Sequence, residues 1–193
     1  LFSSKLNQTM KINTFLITAL LMCRISIILH AQNPVAQIGG RALGVSGASV
    51  CFTDVWAQYH NQAALAGIKG TQIGFGFQNE FMVKELSTKS LAFAIPITTG
   101  TIGLNYYYFG YPKFNESKLG LAFASRPGKK IRAGIQLDYF YTHIEGEYGN
   151  RGIAAGEAGI IAEPINKLFI ASHIFNIWNA GNKHSTNSLP TIF

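Results

Sequence analysis

The chain has 193 residues, enough for one ordinary domain, with 16 basic against 9 acidic residues and a formal net charge of +7. Charged residues make up 13% of it, about half the usual share of a soluble globular protein, while apolar residues stay at 48%. Twenty glycines with 14 Phe and 8 Tyr suit glycine-interrupted aromatic strands better than helices, and the scattered basic residues form no nucleic-acid-binding face.

The first segment reads as a processing signal. From Met10 the chain runs MKINTFLITALLMCRISIILHAQ, with Lys11 as a short basic start, an apolar run, and Leu29-His30-Ala31 as an A-x-A-like cleavage site. Residues 1–9 then lie upstream of the start, and 10–31 form an export leader. Phe15 to Leu29 is too short for the about 20 apolar residues of a spanning helix, and Arg24 interrupts it. Leu20-Leu21-Met22 offers no small residue ahead of Cys23, which argues against a lipid-modified cysteine. Loss of the leader removes Lys5, Lys11 and Arg24 from the 16 basic residues and leaves a mild +4 against the 9 acids. Cys51 is then the only remaining cysteine, so neither an internal disulfide nor a cysteine metal site is expected.

Residues 32–70 form a separate N-terminal segment containing RALGVSGASVCFTDVWAQYHNQAALAGI (41–68). Its glycines do not match G-x-G-x-x-G, and no Lys-Ser/Thr pair follows as in a phosphate loop. Asp54, His60 and Asn61 invite a catalytic set with Ser46 or Ser49, yet neither serine lies in a G-x-S-x-G turn. The simpler reading makes Asp54 an ion partner joining this segment to the strand wall, or a helix N-terminal residue, and Asn61 the cap of a short helix through Leu65. No catalytic residue, cofactor or metal is assigned.

From 71 to 193 the chain breaks into strand-like runs at 71–78, 89–97, 100–110, 118–126, 129–144, 152–163 and 167–178, with 188–193 as the beginning of an eighth. Turn-like residues (TTG, GYPKFNES, PGK, EGEYGNR, PIN) separate them, which predicts an antiparallel meander. In 101–108, Ile102, Leu104, Tyr106 and Tyr108 share one face, and Gly103, Asn105 and Tyr107 the other. Leu119, Leu121 and Phe123 similarly oppose Gly120, Ala122 and Ala124. Ile135, Leu137, Tyr139 and Tyr141 oppose Gly134, Gln136, Asp138 and Thr142.

A soluble sandwich would turn the greasy face inward, and a membrane barrel would turn it to lipid. Runs of about 9–12 residues fit tilted membrane strands. The opposite face is made of glycine and alanine with few charges, a poor surface for water. Aromatic residues also gather at strand ends, among them Tyr106 to Phe109, Tyr139 to Tyr141 and Trp178, as an interfacial girdle requires. The expected class is therefore all-β, an antiparallel transmembrane β-barrel with a small N-terminal helical hatch. A soluble secreted β-sandwich binding module is the alternative.

Residues 39–68, GGRALGVSGASVCFTDVWAQYHNQAALAGI, resemble the N-terminal signature of the fatty-acid-transporter-like (FadL-type) outer-membrane proteins, especially PorV/PorQ-type members. That signature runs roughly G-A-R-A-x-G-x-G-x-A, an aspartate, then W/H-N-P-A-G-L. Gly40, Arg41, Ala42, Gly44, Gly47, Ala48, Asp54, Asn61, Ala64 and Leu65 stand in comparable places. Gln62-Ala63-Ala64 departs from the Pro-Ala-Gly of many relatives. FMVKELSTKSLAFAIP and YYYFGYPKFNESKLGLAFA are similar to uncharacterised members. The resemblance implies a barrel of about fourteen strands, of which seven to eight are counted here, with the N-terminal segment folded inside as a hatch.

The hatch motif Gly40, Arg41, Gly44, Gly47, Asp54 and Asn61 is then structural, and Gly40 and Gly44 in G-x-x-x-G spacing would let the segment pack closely on the lumen wall. Glu157, alone among small residues in GIAAGEAGI, is expected to face the lumen, paired with a lysine or arginine on a neighbouring strand. His173 reads as a wall residue. Function is expected to be non-enzymatic: passing a hydrophobic small molecule, or serving type IX secretion as a PorV/PorQ-like component. Outer-membrane lipid, a hydrophobic ligand or secretion-machinery proteins are the expected partners, with no nucleic acid.

Overall fold

The computed structural model of the chain describes residues 37–146 and 149–177. Residues 1–9, the leader at 10–31, Trp178 and the run at 188–193 fall outside the described residues.

Seven strands follow one another: β1 (Gln72–Asn79), β2 (Ser87–Ile97), β3 (Gly100–Tyr111), β4 (Phe114–Gly128), β5 (Ile131–Ile144), β6 (Gly149–Ala162) and β7 (Ile170–Phe175). Each pairs antiparallel with the next, in the order β1-β2-β3-β4-β5-β6-β7, so the expected meander is present. Thr98-Thr99, Pro112-Lys113 and Lys129-Lys130 are two-residue connections that hold their strand pairs in register.

Several strand boundaries differ from expectation by two to four residues, and two of them have a clear local cause. GYPKFNES was expected to be a turn, but Phe114 already pairs with Tyr111 and Ser117 with Tyr108. Gly110 at φ 103° makes the sharp bend that shrinks the turn to Pro112-Lys113. The last run starts at Ile170 rather than 167, because Lys167 adopts φ 68° and Leu168 N donates to Ile165 O at 3.1 Å, which closes a turn ahead of the strand.

Register carries each face across the sheet. One rung runs Ile73, Phe93, Leu104, Leu121, Leu137; the next runs Gly74, Ala92, Asn105, Gly120, Asp138, Ala155. The first set faces out, and Phe75 on the same face is 77% exposed. The second is covered by residues 38–68, which form α1 (Gly40–Gly44) and two 3-10 helices, Val55–Tyr59 and Gln62–Gly67. Val55, Ala57, Tyr59, Ala63, Ala64 and Leu65 are buried against Ala92 and Ala94 of β2, Ala122 and Ala124 of β4, and Ile161 of β6. Each large side chain in that set, such as Leu65, contributes about 1.5–3 kcal/mol by leaving water.

The small face is small because the segment lies directly on it. A β-carbon on Gly134 would come 2.6 Å from Ala63 N, and one on Gly74 would come 2.7 Å from the Trp56 ring. The expectation that Gly40 and Gly44 supply the close approach is corrected. A β-carbon at either would meet nothing within 4 Å, so the G-x-x-x-G spacing marks an open side of α1. The clearance comes from the strand glycines instead.

Candidate functional site

Two side chains start the short helices of the segment. Asp54 caps Val55–Tyr59, its Oδ1 accepting from Trp56 N at 2.9 Å, and Asn61 caps Gln62–Gly67, its Oδ1 accepting from Ala63 N at 3.1 Å. The reading of Asn61 as a cap therefore holds. For Asp54 the structure favours the helix-terminal role. Its ion partner, Arg41 at 3.7 Å, belongs to the same segment, and Arg41 also lies 3.9 Å over the Phe52 ring. That pair is largely solvated and worth little. Gly47 turns at φ +81° against the Gln37 side chain, a conformation that suits glycine.

The candidate catalytic residues are not brought together. Ser49 Oγ donates to Gly47 O at 3.3 Å, His60 Nε2 donates to Ile38 O at 2.8 Å, and Asp54 is committed to its cap. Burial pushes the His60 imidazole below its ordinary value of 6.5, which keeps the ring neutral. Burial also pushes the Cys51 thiol up, so it stays protonated.

Between the caps, the segment turns polar side chains onto the backbone of the sheet. Gln58 Nε2 donates to Phe93 O at 3.0 Å, and the Tyr59 hydroxyl lies 2.9 Å from both Leu91 O and Tyr106 O. Asn61 Nδ2 reaches Ser172 O at 3.4 Å. The Tyr59 phenol is raised well above its ordinary range by burial, so it remains a donor.

Below these residues lies a cluster of charge. Lys118 of β4 places Nζ 3.2 Å from Asp138 Oδ2 of β5 and 2.9 Å from Glu157 Oε1 of β6. His173 Nε2 of β7 lies 3.0 Å from Glu157 Oε2, and Gln62 Nε2 of the segment donates to the same oxygen. Gln136 bridges outward, donating to Asp138 Oδ1 at 2.8 Å and accepting from Asn105 Nδ2 at 3.2 Å. Lys118 is 2% exposed, and Asp138 and Glu157 are 1% exposed. Asp138 and Glu157 share one ammonium, and His173 with Gln62 on Glu157 and Gln136 on Asp138 supply further contacts. Gln62 Oε1 and Asn105 Oδ1 accept no hydrogen bond from the described residues. Asp138 Oδ2 makes no hydrogen bond of good angle, yet at 3.2 Å from Lys118 Nζ it is electrostatically paired.

Glu157 lies on the side covered by the segment, and the lysine or arginine partner expected for it is Lys118. The partner lies two strands away rather than on a neighbour, because Lys118 is long enough to pass Asp138. His173 is more than a wall residue, since it completes the Glu157 contacts. Lys118, Asp138, Gln58, Tyr59 and Gln62 were not singled out from sequence. The usable signal was parity: Lys118 shares a face with Gly120 and Ala122, and Asp138 with Gly134 and Gln136.

Chemically, the cluster holds charge in place and joins four strands to the segment. Among the described residues no three His, Cys, Asp or Glu side chains come together as a metal-binding set. Comparison with protein-family models, curated proteins and solved structures gave no match. Among the described residues the fold and site define an all-β, seven-stranded antiparallel meander with a helical segment clamped to one face by a buried charge cluster.

Proposed function

We propose that this chain is a non-enzymatic outer-membrane β-barrel protein whose N-terminal segment is a hatch. The single observation that carries this reading is the inverted distribution of polarity. Leu104, Leu121, Ile135 and Leu137 stand exposed on one face, and Lys118, Asp138 and Glu157 are buried under the other. An exposed apolar face of this extent is costly in water and favourable against lipid, and charges at membrane depth persist where they find partners. Strands β2 and β3, of 11 and 12 residues, suit a tilted crossing. Likeness of residues 39–68 to the FadL-type hatch signature supports the same reading. The seven strands form one arc of the wall. Among the described residues β1 and β7 each pair on one side only, and closing the wall falls to strands beyond them, since lipid satisfies no backbone edge.

The barrel either passes a hydrophobic small molecule or serves as a secretion-associated component. The full chain, expressed with its leader, should fractionate with the outer membrane, need detergent for extraction and migrate differently on a gel before and after boiling. A product soluble and monomeric without detergent overturns the reading in favour of a secreted sandwich. Removal of residues 39–68 separates the two uses: leakage of a hydrophobic dye marks a passage, and loss of secretion without leakage marks a scaffold.

A further inference from the structure

Two arginines of adjacent strands meet where the N-terminal segment touches one end of the sheet. Ser125 of β4 pairs with Ala133 of β5, and Arg126 and Arg132 follow that pair just before the register shifts. Both have the parity of the covered face, Arg126 with Ala122 and Ala124, and Arg132 with Gly134 and Gln136. Like charges side by side on neighbouring strands destabilise a sheet, and these two repel one another. Lys129 and Lys130 of the β4–β5 turn add two further charges to the depression that all four line. Among the described residues none of the four is in an ion pair. The carboxylate of the depression is Glu163, whose Oε1 already accepts from Lys167 N at 3.2 Å.

The same arginines hold the segment. Arg126 Nε donates to Ala66 O at 2.8 Å, and Arg132 Nη1 donates to Thr53 Oγ1 at 3.0 Å. A β-carbon on Gly67 would come 2.7 Å from Arg132 Nη1 and closer still to the Thr53 methyl, so this guanidinium sits in a nook of the segment itself. Both acceptors are uncharged oxygens, so the bonds fix the two side chains without neutralising them. Each guanidinium keeps two nitrogens that donate to no described residue. Guanidinium groups in that state bind oxyanions through paired, charge-assisted hydrogen bonds.

We propose that this depression binds a water-borne tetrahedral oxyanion, of the phosphate or sulfate type, among Arg126, Arg132 and the Lys129-Lys130 turn, and that the bound anion braces the segment in its docked position. The anion offsets the repulsion between the two side chains that grip Ala66 and Thr53. Those grips in turn orient the guanidinium groups, so the site is complete only with the segment docked, and binding and docking stabilise one another. A free ion suits the site better than one carried on a lipid, because both arginines lie on the covered face, opposite the exposed Leu121, Ile135 and Leu137. The inference stands on the docked segment and is independent of what covers the outward face.

The test uses the full chain in uncharged detergent and follows protease cleavage of residues 39–68 at constant ionic strength. Inorganic phosphate at about ten times its dissociation constant, measured by calorimetry on the same sample, should slow cleavage roughly tenfold, and chloride should not. The readout is the ratio of rates without and with phosphate within each variant, so a variant with a looser segment still reports. Protection should vanish in R126Q and in K129A/K130A, whose changes lie in an exposed turn. Equal protection by chloride, protection that survives in either variant, phosphate binding that leaves cleavage unchanged, or no measurable binding overturns the proposal. So does stronger protection by phosphatidylglycerol than by free phosphate, which gives the cations to a lipid headgroup.

Discussion

Lys118 Nζ sits 2.9 Å from Glu157 Oε1 although their strands, β4 and β6, are not neighbours. Strands separated by one other lie roughly 9.6 Å apart, twice the usual spacing, so the ammonium has to extend over β5. It does so diagonally, past Asp138, which faces Gly120 in the register. The absence of a side chain at Gly120 makes room for Asp138 and Asn105: a β-carbon there would fall 2.6–2.7 Å from the Asn105 amide atoms and closer still to Asp138 Oδ1.

Removing the ammonium takes from buried Asp138 and Glu157 the lysine they share, and leaves His173 on Glu157 alone. Lys118→Met should therefore destabilise the folded protein by about 3–5 kcal/mol, read as a lowered urea midpoint in detergent. Adding D138N and E157Q to the same variant should restore most of the loss. A single variant as stable as the parent would show that the cluster carries no net uncompensated charge.

Clearance on the sheet face can be tested with pairs of glycines. Gly134→Val places carbon against the Gln62 and Ala63 backbone and should detach the segment, read as rapid proteolysis between residues 39 and 68. Gly40→Ala and Gly44→Ala meet open space and should be neutral or stabilising by about 0.4–1 kcal/mol. Equal protease sensitivity across the three variants would refute docking through the strand glycines.

Strand parity, the meander and the Asn61 cap were legible in the sequence, because alternation and capping are local properties. The reach of Lys118 to Glu157 was not. It depends on pairing across three strands, and Lys118 looked only like the polar first residue of an apolar run. Gly40 and Gly44 misled for a related reason. Spacing along a helix says which residues share a side, but not whether anything lies against that side.

The Tyr59 hydroxyl and the Asn61 amide hold the segment in different ways. Tyr59→Phe removes a donor shared by two strand carbonyls and should cost about 0.5–1.5 kcal/mol. Asn61→Ala removes a helix cap, about 1 kcal/mol, together with the contact to Ser172 O, so its unfolding midpoint should fall further. The reverse ranking would sink this account of the docking.

His60 predicts an acid-sensitive segment. Its folded-state pKa lies below the ordinary 6.5, so as pH falls through 6.5 the released state takes up a proton first and docking weakens. Above about pH 7.5 both states are neutral and the contribution is constant. Protease sensitivity of residues 39–68 should rise between about pH 6.5 and 5. His60→Gln should flatten that rise, and a persistent rise in that variant would assign the acid response to another group.

The polar side chains of the segment grip main-chain oxygens at Leu91, Phe93, Tyr106 and Ser172. Every residue type presents the same carbonyl, so these grips tolerate a change of spelling along the strands. What cannot drift is vacancy. Trading one branched aliphatic for another on the outward face is silent, whereas one added carbon at Gly134 or Gly159 is a lesion. The receiving surface is inherited chiefly as a pattern of omissions.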